Sequence, residues 1–317
     1  MSNIEQRRHE QRMDPASTAL PITKAHRAAM RSAAGTYASA AFTVLPTQPM
    51  HRMSDAALMQ ATRHRLHLPA HHLLPMRCAL CFHTCKTADD RINHAMTCEK
   101  LKRKEITSRH DAVLHSLMSE CRHAGMLTIL EPTTCNQQDR LKPDACIIPS
   151  APTAAQIYLD VSITHAPAKT YVKTLHTDRV DLAAATKRES VKQHKYAAEA
   201  KKDGCELIPF VLESTGAFGP SAHAFVRRLA AWSVLAHPSS SYARELARIV
   251  AGIACAIQRG NAAIERRVVV AAAGQLTAPG RARMRPAAAQ TQAAARPGQL
   301  RHAFHTHRAR RQVGEAA

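Results

Sequence analysis

Two aspartates on neighbouring apolar segments are the residues of this sequence best suited to chemistry. Asp144 follows Lys142-Pro143 at the start of the apolar segment 145–148, and Asp160 lies inside the apolar segment 157–163. Both segments are rich in Ile or Val and predict short strands. A carboxylate left unpaired in an apolar strand is costly or takes up a proton, so Asp160 needs a partner. A divalent cation shared with Asp144 is the natural one.

The same two residues also have a purely structural interpretation. In that interpretation Asp144 caps a turn and Asp160 faces solvent on an alternating strand. Glu131, at the end of the preceding predicted strand, could be a third acid or only a strand end.

A second group of candidate ligands follows the spacing Cys78-x2-Cys81-x12-His94-x3-Cys98. Two thiolates on a tight turn, with a His and a Cys four residues apart on one helical face, can converge tetrahedrally on Zn²⁺. Cys85 leaves an alternative set, Cys81, Cys85, His94 and Cys98. We favour the first set because Cys-x2-Cys is the commoner knuckle. The residues after Met1 are polar and not a secretory apolar region, which favours metal over disulfides.

The periodicity of the chain predicts the elements that must position these residues. From Ser108 onward the patterns predict helix, strand, strand, strand, helix, strand, followed by further helices. The predicted ranges are a helix over 108–123, strands over 126–130, 145–148 and 157–163, a helix over 182–202, a strand over 206–213, and helices from 221 and over 243–258. Lys192, Lys195 and Tyr196 share one side of the helix over 182–202, because they are three and four residues apart.

Composition divides the 317 residues into four segments. We expect a disordered segment over 1–50, a helix and zinc knuckle over 51–105, an α/β domain over 106–265, and a disordered basic tail over 266–317. The net charge is +20, with 44 Lys and Arg against 24 Asp and Glu, which predicts a polyanionic partner. No run of 18 apolar residues exists, so we expect no membrane span.

The order of elements resembles the αβββαβ core of PD-(D/E)xK nucleases, which are restriction-enzyme-like proteins. More specifically, residues 54–263 are similar to the restriction-like endonuclease module at the C-terminus of reverse transcriptases from site-specific non-LTR retrotransposons. The polymerase domain of those proteins has no counterpart here. The motifs that carry the resemblance are Arg65-Leu66, the Cys/Cys/His/Cys knuckle, Arg109-His110, Ala124-Gly125 before Glu131-Pro132, Lys142-Pro143-Asp144, Asp160-Val161, Lys192-x2-Lys195-Tyr196, Glu213-Ser214-Thr215-Gly216 and Gln258-Arg259-Gly260-Asn261-Ala262.

The resemblance implies an α/β fold with a PD-(D/E)xK core, a zinc knuckle before it and helices after it. It also implies a DNA endonuclease in which Asp144 and Asp160 bind Mg²⁺ or Mn²⁺. The usual nuclease has Lys two residues after the second acid, where this chain has Ser162. In the resembling family the lysine can come from the following helix, which makes Lys192 and Lys195 the candidates to orient water or offset charge.

Two other interpretations stay open. The core could be degenerate, so that the finger and tail form a non-catalytic zinc-containing module that binds nucleic acid. The chain could also be an unselected pseudogene fragment that does not fold stably. The resemblance implies DNA as partner, with element RNA and a reverse-transcriptase polymerase domain as further partners. The basic character suits the nucleus, with the cytoplasm as the alternative.

Overall fold

A four-stranded mixed sheet organises the described part of the chain, which in this computed structural model comprises residues 22–68, 73–132, 142–150 and 154–277. The strands lie in sequence order: β1 (Leu127–Leu130), β2 (Ala145–Ile148), β3 (Ile157–Thr164) and β4 (Glu206–Glu213). The pairs β1/β2 and β2/β3 are antiparallel, and β3/β4 is parallel. The protein is therefore mixed α/β, as predicted.

The helices surround this sheet. They are α1 (Lys24–Ala34), α2 (Ala40–Thr43), α3 (Asp55–Arg65), α4 (Ala88–Thr97), α5 (Glu105–His123), α6 (Lys169–Thr174), α7 (Ala183–Lys202), α8 (Pro220–Ala236) and α9 (Tyr242–Thr277). The predicted order from helix α5 to strand β4 is confirmed, and the short helix α6 is added between β3 and α7. Among the described residues, none of these helices combines the length and the apolarity that crossing a membrane requires.

Both faces of strand β3 are covered, so β3 is buried along almost its whole length. Leu159 belongs to the main core between the sheet and helices α5, α8 and α9. Tyr158 points to the opposite face and packs with Ala200 of α7. Because side chains alternate along a strand, Asp160 and Ser162 lie on the Tyr158 face, toward α7. The main core contains, among others, Val113, Leu117, Ile147, Phe210, Phe225, Leu229, Ile253 and Ile257.

Strand β4 is an edge of the sheet, which explains how it tolerates a proline. Pro209 lies opposite Asp160 in the parallel pairing. Proline cannot donate a ladder hydrogen bond, so within sheets it is confined to such edges, strand starts or bulges.

The disorder expected over residues 1–50 is wrong for residues 24–43, which form helices α1 and α2. Thr23 caps α1 by accepting a hydrogen bond from the backbone N–H of His26 at 3.0 Å. Ala28 and Ala33 are buried, so the helix packs through small side chains that leave little hydrophobic signal in the sequence. The part of this prediction that concerns residues 1–21 lies outside the described residues.

The disordered tail expected over 266–317 is wrong for its first residues, because helix α9 continues to Thr277. Ile264 and Val268, one turn apart, are buried against Leu74, Cys98 and neighbouring side chains of the knuckle segment. The boundary at 105/106 therefore does not separate two independent units, since the knuckle and the sheet region share helix α9. Residues 278–317 lie outside the described residues.

Candidate functional site

Asp144 lies immediately before β2, and its carboxylate is anchored to the neighbouring strand. Its Oδ2 accepts a hydrogen bond from the backbone N–H of Val161 in β3 at 2.6 Å. The same oxygen lies 3.2 Å from Nε2 of His110 on α5. Pro143 precedes it at the strand start, where the missing N–H breaks no ladder bond. The carboxylate is thereby held beside the residue that follows Asp160.

Asp160 is buried inside β3 and pairs with a lysine from α7. Its side chain is 2% exposed, and Nζ of Lys192 contacts its Oδ2. Burial raises the pKa of Asp160, the charge and hydrogen bond of Lys192 oppose that rise, and the charge of Asp144 adds to it. Asp160 does not face solvent, so the expectation that it lies on a solvent-facing side of the strand is wrong.

Of the two predicted lysines, the structure brings Lys192 to the acids and directs Lys195 elsewhere. Lys195 is exposed, and its Nζ donates to the hydroxyl of Tyr196 at 2.9 Å while lying 4.5 Å from the centre of that ring. Both lysines lie on the same side of α7, as predicted, but only a side chain that points at β3 can reach Asp160. The prediction that Lys195 serves the site is not supported by these contacts.

His110 belongs to the site although it was named only as part of a sequence motif. Its ring lies between two acids, with Nδ1 3.0 Å from Oδ1 of Asp111 and Nε2 3.2 Å from Oδ2 of Asp144. Burial lowers the pKa of His110, but the hydrogen bonds and charges of Asp144 and Asp111 outweigh burial and raise it to about 9. The ring is therefore cationic at neutral pH and holds one carboxylate oxygen of Asp144.

Arg188 is a second residue that sequence reasoning missed. Its Nε donates a hydrogen bond to the hydroxyl of Ser162 at 3.2 Å. It lies one helical turn before Lys192, so the two cations share a face of α7. The spacing of four residues was a usable signal, but it identifies Arg188 only once Lys192 is known to face the sheet.

The four predicted zinc ligands converge in the structure. One candidate ligand atom from each of Cys78, Cys81, His94 and Cys98 lies within 4.8 Å of the other three. Sγ of Cys81 lies 3.2 Å from Nε2 of His94. Three thiols and one imidazole in a partly buried cluster are a donor set that suits tetrahedral zinc. Among the described residues this is the one group of three or more such side chains, and it could bind a metal such as zinc.

A short hairpin positions the first two cysteines. The backbone N–H of Cys78 donates to the carbonyl of His83 at 2.8 Å, and that of Cys85 donates to Met76 at 2.7 Å. Phe82 has a left-handed backbone conformation, with φ of +65°, at the point where the chain reverses direction. Cys85 is buried but lies outside the four-residue cluster, so the alternative ligand set containing Cys85 is wrong.

The last two ligands come from helix α4 and its end. His94 lies in α4, and Cys98 is the residue that ends it. The ring of His83 stacks on that of His94, with centroids 4.6 Å apart. Burial, followed by the charge of His83, lowers the pKa of His94. A neutral imidazole is the form that binds a metal.

A chain of hydrogen-bonded side chains joins helix α4 to the sheet. Asn93, next to the ligand His94, has its Oδ1 2.9 Å from Nε2 of His165. Nδ1 of His165 lies 2.7 Å from the hydroxyl of Ser214. Burial, and then the charges of Arg109 and His64, lower the pKa of His165 to about 3, so the ring is neutral. The chain connects α4 to the ends of β3 and β4.

The motif at 258–262 has a structural role beside this chain. Nη1 of the buried Arg109 donates to Oδ1 of Asn261 at 2.8 Å, and Nδ2 of Asn261 donates to the carbonyl of Ser214 at 2.7 Å. Nε2 of Gln258 donates to the carbonyl of Thr215 at 3.1 Å. These bonds satisfy buried backbone groups after β4, so the motif locks α9 onto the sheet.

Comparison with known proteins found no match among protein-family models and none among curated proteins.

Proposed function

We propose that this protein is a metal-dependent DNA endonuclease that nicks its target site. The observation that carries the proposal is the convergence of Asp144, Asp160 and Lys192, which come from two neighbouring strands and the helix beside them. A buried carboxylate with a lysine partner and a second carboxylate beside it is the kind of constellation that phosphodiester hydrolysis requires.

The arrangement of elements supports the same proposal. Helix α5, strands β1 to β3, helix α7 and strand β4 follow the αβββαβ order of PD-(D/E)xK nucleases. The sheet has the order β1-β2-β3-β4, with β4 parallel to β3 through the α7 crossover. We propose on this basis that the core is a PD-(D/E)xK domain, of the kind found in non-LTR retrotransposon proteins, with the knuckle in front and helices α8 and α9 behind.

The two carboxylates fit Mg²⁺ or Mn²⁺. Oδ2 of Asp144 is occupied by Val161 and His110, whereas its Oδ1 has no hydrogen-bond partner among the described residues. Mg²⁺ in proteins binds one or two carboxylates and keeps other positions for water and substrate phosphate. When bound, the ion would supply Lewis-acid chemistry, polarising the scissile phosphate and lowering the pKa of the attacking water.

The remaining roles in the proposed reaction belong to groups of the protein itself. Val161 and His110 orient Asp144, so that its free oxygen has a fixed direction before any ion binds. Lys192 offsets the charge of Asp160 in the free protein and, with DNA present, is placed to orient water or to stabilise charge that develops on the phosphate. Preorganised donors of this kind are commonly worth about 100- to 1000-fold in rate.

The basic character of the chain supports DNA as the substrate class. The net charge of +20 favours binding to a polyanion. Element RNA and a polymerase domain are further partners that we propose only from the resemblance, and a nuclear location follows from a DNA substrate. Zinc in the knuckle would be structural, since all four positions of a tetrahedral site are taken by protein ligands.

A second function is favoured by one specific observation. Ser162 occupies the strand position two residues after Asp160, and a hydroxyl there supplies no charge. If nothing replaces that charge, the core is a degenerate nuclease, and the protein is a zinc-containing module that binds nucleic acid without cutting it.

Nicking of supercoiled plasmid separates the two functions. The full chain would be incubated with plasmid in Mg²⁺, in Mn²⁺ and without added divalent ion, and DNA binding would be measured at two salt concentrations in parallel. The endonuclease nicks only with the added ion. The binding module binds with a steep salt dependence and does not nick in any of the three conditions.

A further inference from the structure

The face of β3 that carries Asp160 has a charge supplied from the neighbouring helix. Ser162 is two residues after Asp160, so the two side chains lie on the same face of the strand. Asp160 and Ser162 are 1% and 6% exposed, which makes this face a largely dry environment. The strand itself contributes no cation to it.

Helix α7 places two cations along that face. Lys192 contacts Asp160, and Arg188 donates from Nε to the hydroxyl of Ser162 at 3.2 Å. Arg188 and Lys192 are four residues apart on the helix, and Asp160 and Ser162 are two residues apart on the strand. The Lys192–Asp160 contact and the Arg188–Ser162 hydrogen bond therefore lie side by side. Arg188 therefore stands where a lysine at position 162 would place its charge.

The guanidinium of Arg188 keeps most of its hydrogen-bonding capacity. Arginine has five N–H donors, and Ser162 takes only the one on Nε. No described residue accepts a hydrogen bond from either Nη group of Arg188, and the side chain is only half-buried. A planar fork with free donors near the carboxylate of Asp160 matches the geometry of a phosphate group.

We propose that Arg188 is a further catalytic residue, whose Nη groups donate to a non-bridging oxygen of the scissile phosphate. The inference rests on the proposed endonuclease function. In the hydrolysis, a bond forms from the water oxygen to phosphorus, one P–O ester bond breaks, the water loses a proton and the departing sugar oxygen gains one. Arg188 stabilises the negative charge that accumulates on the phosphate oxygens between these two events.

A merely structural role would be the alternative, in which Arg188 ties α7 to β3 through Ser162. The two roles make different demands on the charge. A structural tie needs the hydrogen bond to Ser162, so Ser162→Ala would be as damaging as Arg188→Ala. A phosphate contact needs a cation on this face, from whichever residue supplies it.

The test uses single-turnover nicking of supercoiled plasmid by the full chain at saturating protein in Mg²⁺. The variants are Arg188→Ala, Arg188→Lys and the double variant Ser162→Lys with Arg188→Ala. Lys201→Ala, an exposed lysine near the end of the same helix, is the charge-matched control. Melting temperature and plasmid affinity would be recorded for each.

We expect Arg188→Ala to lower the nicking rate about 100-fold or more, with plasmid affinity within about twofold of wild type. The double variant and Arg188→Lys recover part of the rate, because each returns a cation to this face, and Lys201→Ala matches wild type. If Arg188→Ala also lowers the melting temperature, the nicking rate of the double variant distinguishes the two roles. Lysine at position 162 can restore a missing charge, but it cannot restore the hydrogen bond between Arg188 and Ser162.

Two results would overturn the inference, and they are distinguishable. Wild-type rates in Arg188→Ala, or a slow Arg188→Ala that the double variant does not rescue, would remove Arg188 from catalysis while leaving the endonuclease in place. A wild-type protein that binds plasmid but fails to nick it in either Mg²⁺ or Mn²⁺ would overturn the proposed function itself, and this inference with it.

Discussion

The carboxylate of Asp144 accepts a hydrogen bond from the backbone N–H of Val161 at 2.6 Å, which fixes the first acid against the strand that carries the second. Asp144 precedes β2 and Val161 follows Asp160 in β3, so the two acids cannot drift apart without breaking this bond. His110 contacts the same carboxylate of Asp144, and Lys192 contacts Asp160. A phosphate docked here would meet a preformed site and not one that assembles on binding.

The two lysines of helix α7 should differ sharply in mutation. Lys192→Ala is expected to slow single-turnover nicking about 100-fold, because it removes the cation that contacts Asp160. Lys195→Ala should stay within about twofold, because Lys195 is exposed and bonds to Tyr196. Melting curves would show whether the buried Asp160, left without its partner, also destabilises the fold. An equal loss in both variants would contradict the site as described.

Zinc should hold the knuckle and, through it, helix α9. Elemental analysis of the purified protein should find about one zinc per chain, and Cys78→Ser should lose it. Because Ile264 and Val268 of α9 pack on the knuckle, loss of the metal should lower the melting temperature of the whole unit by at least about 5 °C.

Cys85→Ser is the matched control for that measurement. Cys85 is as buried as Cys78 but lies outside the cluster, so its variant should retain a full complement of zinc. Zinc lost from Cys85→Ser and kept by Cys78→Ser would mean that the other ligand set is the correct one.

Two glycines of helix α9 should respond in opposite directions to alanine. A Cβ on Gly260 would lie 2.6 Å from Cβ and 3.1 Å from Cα of Arg109, so α9 and α5 would have to separate. We expect Gly260→Ala to lower the free energy of unfolding by about 1–3 kcal/mol. A Cβ on Gly274 meets none of the described residues within 4 Å, so Gly274→Ala should raise the free energy of unfolding by up to about 1 kcal/mol.

Urea unfolding of the two variants beside wild type would measure both changes. The pair controls for helix propensity, because the substitution is the same and the helix is the same. A Gly260→Ala variant as stable as Gly274→Ala would show that α9 does not pack on Arg109 as closely as described.

The parts of the fold that the sequence predicts well are those with a local signal. The apolar runs of β2 and β3, the Cys-x2-Cys turn and the glycine stop at Gly125, with φ of +79°, each depend on residues close together in the chain. Helix α1 lacked such a signal, because its buried face consists of Ala28, Ser32 and Ala33. Its stability comes from contacts with distant residues, including the bond from Ser32 to Glu213.

The sequence named the two acids and two candidate lysines, but it could not choose between Lys192 and Lys195. Asp160 interrupts an apolar strand, and that conflict is visible in the sequence. Choosing Lys192 over Lys195 requires the rotation of α7 about its axis relative to β3, which tertiary packing decides. Arg188 was missed for the same reason, since a basic residue on a helix is more often a solvated side chain.

The most direct test of the endonuclease is the Mg²⁺ dependence of plasmid nicking in Asp144→Asn and Asp160→Asn, beside wild type and the exposed-acid control Asp55→Asn. The metal-free arm should omit Mg²⁺ and not add a chelator, because a chelator would also strip zinc from the knuckle. We predict Mg²⁺-dependent nicking by wild type and Asp55→Asn, and at least a 1000-fold loss, roughly the upper value of one preorganised contact, in each site variant with DNA binding retained. Nicking by Asp144→Asn and Asp160→Asn at the wild-type rate would contradict the account.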